Sequence, residues 1–176
     1  MSANPEDAMP RHFAAVLAIL LAGAPASALG QNLSLPAADA GSRITEASAR
    51  LGEHIDWEAA SCGEPQHLPG TCGWKLGPRL SLTAHAYGSQ PAATIIITRW
   101  MPVDLQDMTA REKFDQACRG LVAALLPDWP AAQVSAFTRA LIGSAGRDRS
   151  ANVEAIGFAL YIYPGSITCE AQRAND

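Results

Sequence analysis

An apolar run from Phe13 to Ala24 is preceded by Arg11-His12 and followed by Pro25 and the small triplet Ala26-Ser27-Ala28. Basic residues, a short apolar core and an A-x-A site, in that order, mark a secretory signal peptide. A run this short falls below the ~20 apolar residues that span a bilayer. Residues 1–28 are therefore expected to be removed, leaving residues 29–176 to fold in an oxidising compartment. Glu6 and Asp7 are out of place in a basic leader, which makes Met9 the better start of the signal. The first cysteine, Cys62, lies far beyond the cleavage site, so no lipid anchor is expected, and no later run is apolar enough to span a membrane. The expected location is the periplasm, with release outside the cell as the alternative.

Export changes the meaning of the cysteines. Cys62, Cys72, Cys118 and Cys169 all follow the signal. An even count in an exported chain favours two disulfides. The expected pairing is Cys62–Cys72, a clasp around a turn-rich segment, and Cys118–Cys169, a tie between a helix and a late strand. Cys62, His67 and Cys72 are spaced more widely than the about two to four residues usual between zinc ligands, so no metal is expected. The absence of C-x-x-C gives no support for a thiol redox centre or attached haem, and no cofactor is expected.

The length of the mature chain suits one domain. Losing Arg11 from thirteen basic residues, and Glu6 and Asp7 from seventeen acidic ones, leaves a net charge of −3. Neither sign clusters, so the basic stripe of a nucleic-acid binder is missing.

Hydrophobic periodicity predicts an α+β domain. Residues 29–40 read as a flexible linker before a single domain over 41–176. Ile44, Ser48, Leu51 and Ile55 predict a helix over 41–60. The segment 62–72, rich in Gly and Pro, reads as loop. Leu80, Leu82, Ala84 and Ala86 alternate with Ser81, Thr83, His85 and Tyr87, the pattern of a half-buried strand. The run 93–100 suits a strand buried on both faces and paired with the first as a hairpin. Thr109 and Glu112 match a capping box opening a helix to about Leu126, with Phe114, Cys118, Leu121, Val122 and Leu125 on its apolar face. A second helix carries Val134, Phe137 and Leu141, with Asp128 as its cap and Gly143 as its end. After a loop over 143–151, strands are expected over 153–163 and 167–171. The expected architecture is an antiparallel sheet of four to five strands, with the N-terminal helix and the central helical pair on one face.

Local catalytic motifs are missing: there is no G-x-S-x-G, no H-E-x-x-H and no phosphate-binding loop. His85 is the most suggestive histidine, because it shares a strand face with Ser81, Thr83 and Tyr87. Tyr161 and Tyr163 follow the small residues Ala155, Gly157 and Ala159 on one face of the late strand. Tyrosine suits contacts that are part apolar and part polar. If the two faces coincide, His85, Tyr87, Tyr161 and Tyr163 form a binding surface for an envelope protein or a glycan. The expected function is a non-catalytic binding domain of the cell envelope. The alternatives are a small secreted hydrolase around His85 and Ser81, or a periplasmic metal-handling protein.

Overall fold

The computed structural model describes residues 33–63, 70–86, 91–100, 108–143 and 148–174. The expected signal peptide, His67, Tyr87 and residues 144–147 lie outside the described residues. Seven strands form one antiparallel sheet: β1 (Ser61–Gly63), β2 (Gly70–Lys75), β3 (Leu80–Ala86), β4 (Ala92–Trp100), β5 (Arg149–Val153), β6 (Ile156–Tyr163) and β7 (Ser166–Arg173). Their order across the sheet is β1-β2-β3-β4-β7-β6-β5. The chain runs out to β4 as a meander. It then crosses through α2 (Met108–Leu125) and α3 (Ala131–Ile142) to the far edge and returns, so that β7 closes against β4. The first helix is α1 (Ala40–Arg50).

The alternation legible in β3 runs through the whole sheet. Cys72, Trp74, Leu82, Ala84, Ile95, Ile97, Cys169, Ala171, Phe158 and Leu160 all point to one side and are buried there. The helices cover this side, with α2 between α1 and α3. Phe114, Cys118, Leu121 and Val122 of α2 complete the core, as their helical spacing predicts. Phe137 of α3 links Trp129 to Phe158 of β6 through edge-to-face ring contacts at 5.6 and 5.4 Å. Such pairs add to the burial of the rings themselves.

Several expectations need correction. Four to five strands become seven because the segment expected to be a loop pairs as the β1–β2 hairpin, and the loop before β6 supplies β5. Two residues, Glu154 and Ala155, separate β5 from β6, and Glu154 takes a positive φ of 54° that closes this tight turn. The stretch read as linker is docked in its described part. Leu33 and Leu35 are buried and exchange backbone hydrogen bonds with Ala92, and a 3-10 turn at Ala37–Asp39 leads directly into α1.

The first helix stops at Arg50, ten residues short of its predicted end. Gly52, at φ 75°, donates to the Ala49 carbonyl, and Glu53 N–H reaches back to Ser48, which is a Schellman ending. Ile55 is still buried, but from the extended segment beyond the helix. Thr109 lies inside α2 rather than at its cap, because the helix begins at Met108. Pro130, not Asp128, precedes α3. The run over β4 is buried on one face only: Ile95 and Ile97 face the helices, while Thr94, Ile96 and Thr98 face away and are half-exposed.

Of the two expected disulfides, Cys62–Cys72 is formed. It joins residues directly opposite each other on β1 and β2. Cys118 of α2 and Cys169 of β7 are both thiols, fully buried and hydrogen-bonded to each other. Burial, and then the neighbouring Cys169 thiol, push the Cys118 thiol well above its ordinary range.

Candidate functional site

The helices cover one side of the sheet, and no element among the described residues packs on the other. Strand register arranges this open face in four rows. The first carries Trp100, Ser166 and Tyr163. The second runs Lys75, Ser81, Thr98, Thr168, Tyr161. The third runs Ser61, Gly73, Thr83, Ile96, Glu170, Ala159, Ser150. The fourth runs Gly63, Thr71, His85, Thr94, Gln172, Gly157, Asn152. Hydroxyl, glycine and alanine side chains dominate. A face built this way is wettable and low, and tall side chains stand out from it.

The tryptophan and tyrosines gather at one end. Trp100 is 56% exposed and Tyr163 51%, the two large apolar side chains most open to solvent among the described residues. Ser166 separates them in their row. Tyr161 stands beside Tyr163, with ring centroids 6.3 Å apart and planes tilted by 37°. Together they form an aromatic ledge over β4, β7 and β6. Trp100 was not among the binding residues expected from the sequence. Its parity with Thr98 and Ile96 on β4 carried the signal, but placing it beside Tyr163 needs the β4–β7–β6 pairing.

A second feature lies at the opposite edge of the same face. Small residues on β1, β2 and β3 leave a groove of about 650 Å³, floored by Gly63, Gly73, Ser81 and Thr83 and bordered by Glu58 and Lys75. A Cβ at Gly63 would meet nothing within 4 Å, and one at Gly73 would meet only backbone oxygens at 3.9 and 4.0 Å. The glycines therefore keep the groove open. Glu58 is held there by its backbone N–H, which donates to the Lys75 carbonyl at 2.8 Å.

The two faces singled out in the sequence coincide, but their residues do not form one site. His85 and Tyr161 are three strand spacings apart and two rows apart, about 14 Å across the sheet and about 13 Å along it. Ser81 is four residues from His85 on the same strand, again about 13 Å. The partner of His85 is Thr71, whose Oγ1 lies 3.1 Å from Nδ1. Around His85 on this face stand Thr71, Thr94, Thr83 and Ile96, none of them acidic. A nucleophile and base without a third orienting group lack the usual catalytic set. Glu170 is the carboxylate at the centre of the face, and burial pushes its pKa above the ordinary range. Among the described residues no three His, Cys, Asp or Glu side chains converge as a metal site would require. No helix among them is long and apolar enough to cross a membrane.

Comparison of the chain with protein-family models, with curated proteins and with solved structures finds no match. The functional reading therefore rests on this geometry alone.

Proposed function

We propose that the mature chain is an exported, non-catalytic binding domain of the cell envelope that engages a protein or glycan partner through the open face of its sheet. The observation that carries this reading is the aromatic ledge of Trp100, Tyr161 and Tyr163 on a face where small hydroxyl, glycine and alanine residues otherwise predominate. Interface centres favour Trp and Tyr because each offers large apolar area with a polar handle. Sugar rings use the same flat surfaces. The groove over β1–β3 lengthens the face, which suits an extended partner rather than a small molecule.

Photo-crosslinking in cells tests the reading. A crosslinkable residue at position 100 should give a discrete adduct with one envelope species. The same residue at position 133, exposed on α3, should not. Equal, diffuse labelling at both positions overturns the reading.

Export carries a second consequence. The neighbouring thiols of Cys118 and Cys169 would close into a second bridge in the periplasm. Each thiol loses a proton, and the pair passes two electrons to the disulfide of an exchange catalyst, which becomes a dithiol. Protein taken from its native compartment and alkylated under denaturing conditions should then show no free thiol. Two alkylated cysteines refute the second bridge.

The Thr71–His85 hydrogen bond beside the groove is the one observation that favours the hydrolase alternative. Loss of a measured hydrolytic activity in His85→Ala, with folding intact, would replace the binding reading.

A further inference from the structure

The helical side of the molecule carries a second, unrelated feature. Arg111, Asp115 and Arg119 recur at four-residue spacing and share one face of α2. Ser135, Thr138 and Arg139 share the facing side of α3. Between them lies a cavity of about 350 Å³, with Glu53 at its rim. Its lining is mainly polar, in contrast to the core around it.

The charges in this cavity are unevenly satisfied. Arg119 Nη2 is 2.6 Å from Glu53 Oε1, and both side chains are largely shielded from solvent. Arg111 and Arg139 stand exposed at the mouth, and neither guanidinium hydrogen-bonds to a described residue. Thr138 is 1% exposed, yet its Oγ1 has no hydrogen-bond partner. Asp115 Oδ1 and Glu53 Oε2 are also buried and unpartnered. Buried polar atoms in folded proteins are almost always bonded, so an unpartnered hydroxyl lining a polar cavity marks a place where a ligand atom fits.

We propose that this cavity binds one small oxyanion, a phosphate or a carboxylate group, between the guanidinium groups of Arg111 and Arg139, with the Thr138 hydroxyl donating to it. The planar forks of arginine match both groups bidentately. Arg119 is committed to Glu53 and positions the rim. Asp115 is the one carboxylate without an ion-pair contact in the cavity. Burial raises its pKa, against the lowering influence of Arg111, Arg119 and Arg99, which weakens its opposition to an anion. The site lies on the helix layer, away from the open sheet face, so either proposal can fail without the other.

The test is a titration of the disulfide-bonded mature protein by amide NMR. Inorganic phosphate and acetate are added separately at constant ionic strength, with chloride as the control. Phosphate, acetate or both should give saturable shifts confined to residues around 111–119 and 135–143, and whichever saturates identifies the group. Arg139→Ala and Thr138→Val should each weaken binding about tenfold, the worth of a hydrogen bond to a charged group. Thr138→Ser, which keeps the hydroxyl, should restore it, and Arg43→Ala on α1 should have no effect. Shifts that never saturate, or an affinity unchanged by Thr138→Val, overturn the proposal.

Discussion

Replacing Gly120 by alanine should destabilise the protein, although alanine is the better helix former. In an open helix the change would gain about 1 kcal/mol. Gly120 is not in an open helix: it is buried where α2 crosses α1. A Cβ there would fall onto Ser48 Oγ, and would lie 3.0 Å from Ile44 Cγ2 and 3.1 Å from the Ile44 carbonyl oxygen. Ile44 and Ser48 are both fully buried, and the carbonyl belongs to the α1 backbone, so none of the three atoms moves aside freely. Overpacking of this kind costs about 1–3 kcal/mol. With contacts this short the upper half of that range applies, for a net loss of about 1–2 kcal/mol once propensity is credited. Urea denaturation should show a lower midpoint at unchanged slope. Ser48→Ala supplies the internal control. Its hydroxyl is buried without a partner, so removing it should stabilise the protein by about 1 kcal/mol. It also vacates the space that the new methyl needs. The double mutant should therefore recover more than additivity allows, with a coupling of at least about 0.5 kcal/mol. A Gly120→Ala protein as stable as the parent, or a loss that Ser48→Ala leaves unchanged, would refute the packing argument.

Closing the Cys118–Cys169 bridge should add about 4 kcal/mol before strain, from the long loop it spans, so reduced and oxidised protein should differ clearly in urea midpoint. Burial raises the Glu170 pKa, so its contribution to stability is complete below the ordinary carboxylate range and is lost as pH rises through the raised value. Glu170→Gln should match the parent at acid pH and exceed it in stability at neutral pH; a uniform shift at all pH values would contradict this. Trp100→Ala and Tyr163→Ala should each change stability by less than about 1 kcal/mol, as exposed positions do, while Tyr163→Ala should abolish the crosslink formed from position 100. Arg119→Met should cost more than Glu53→Gln, because it strands a shielded carboxylate whose second oxygen already lacks a partner; thermal melts of the two variants decide the order.

The helices and the central strands were legible because their apolar residues keep a strict period over ten or so positions. Leu80 to Ala86 and Phe114 to Leu125 are the clearest cases. The edge strands were not. In β1 and β2 the sequence Ser-Cys-Gly and Gly-Thr-Cys-Gly-Trp-Lys carries three glycines and little alternation, and only pairing with β3 makes it sheet. The end of α1 was within reach, since Gly52 is the residue type a Schellman ending needs, but Ile55 sits in phase with the helix and masked it. For the candidate site, strand parity alone put His85 and Tyr161 on definite faces. It could not show that two strands lie between them, because the crossover through α2 and α3 inserts β7 next to β4. Long-range strand order leaves no local trace in a sequence.

That crossover also explains why the open face exists. A sheet this wide needs three helices to cover one side, and the described residues supply three. All fall on the side of Leu82, Ile97 and Leu160, and no element among the described residues packs on the other side. The sequence is written for water over most of it: Ser, Thr, Gly and Ala occupy positions where a buried sheet would carry Val and Leu. The edges are guarded as well. β1 is three residues long and pinned to β2 by Cys62–Cys72, while β5 offers Arg149 and Asn152. Short and polar edges discourage strand-to-strand aggregation. A surface protected against indiscriminate pairing has no structural need for an exposed tryptophan. Trp100 contributes little to the core at its present exposure, and a threonine there would continue the pattern of Thr94 and Thr98. The ledge is therefore better explained by contact with a partner than by folding.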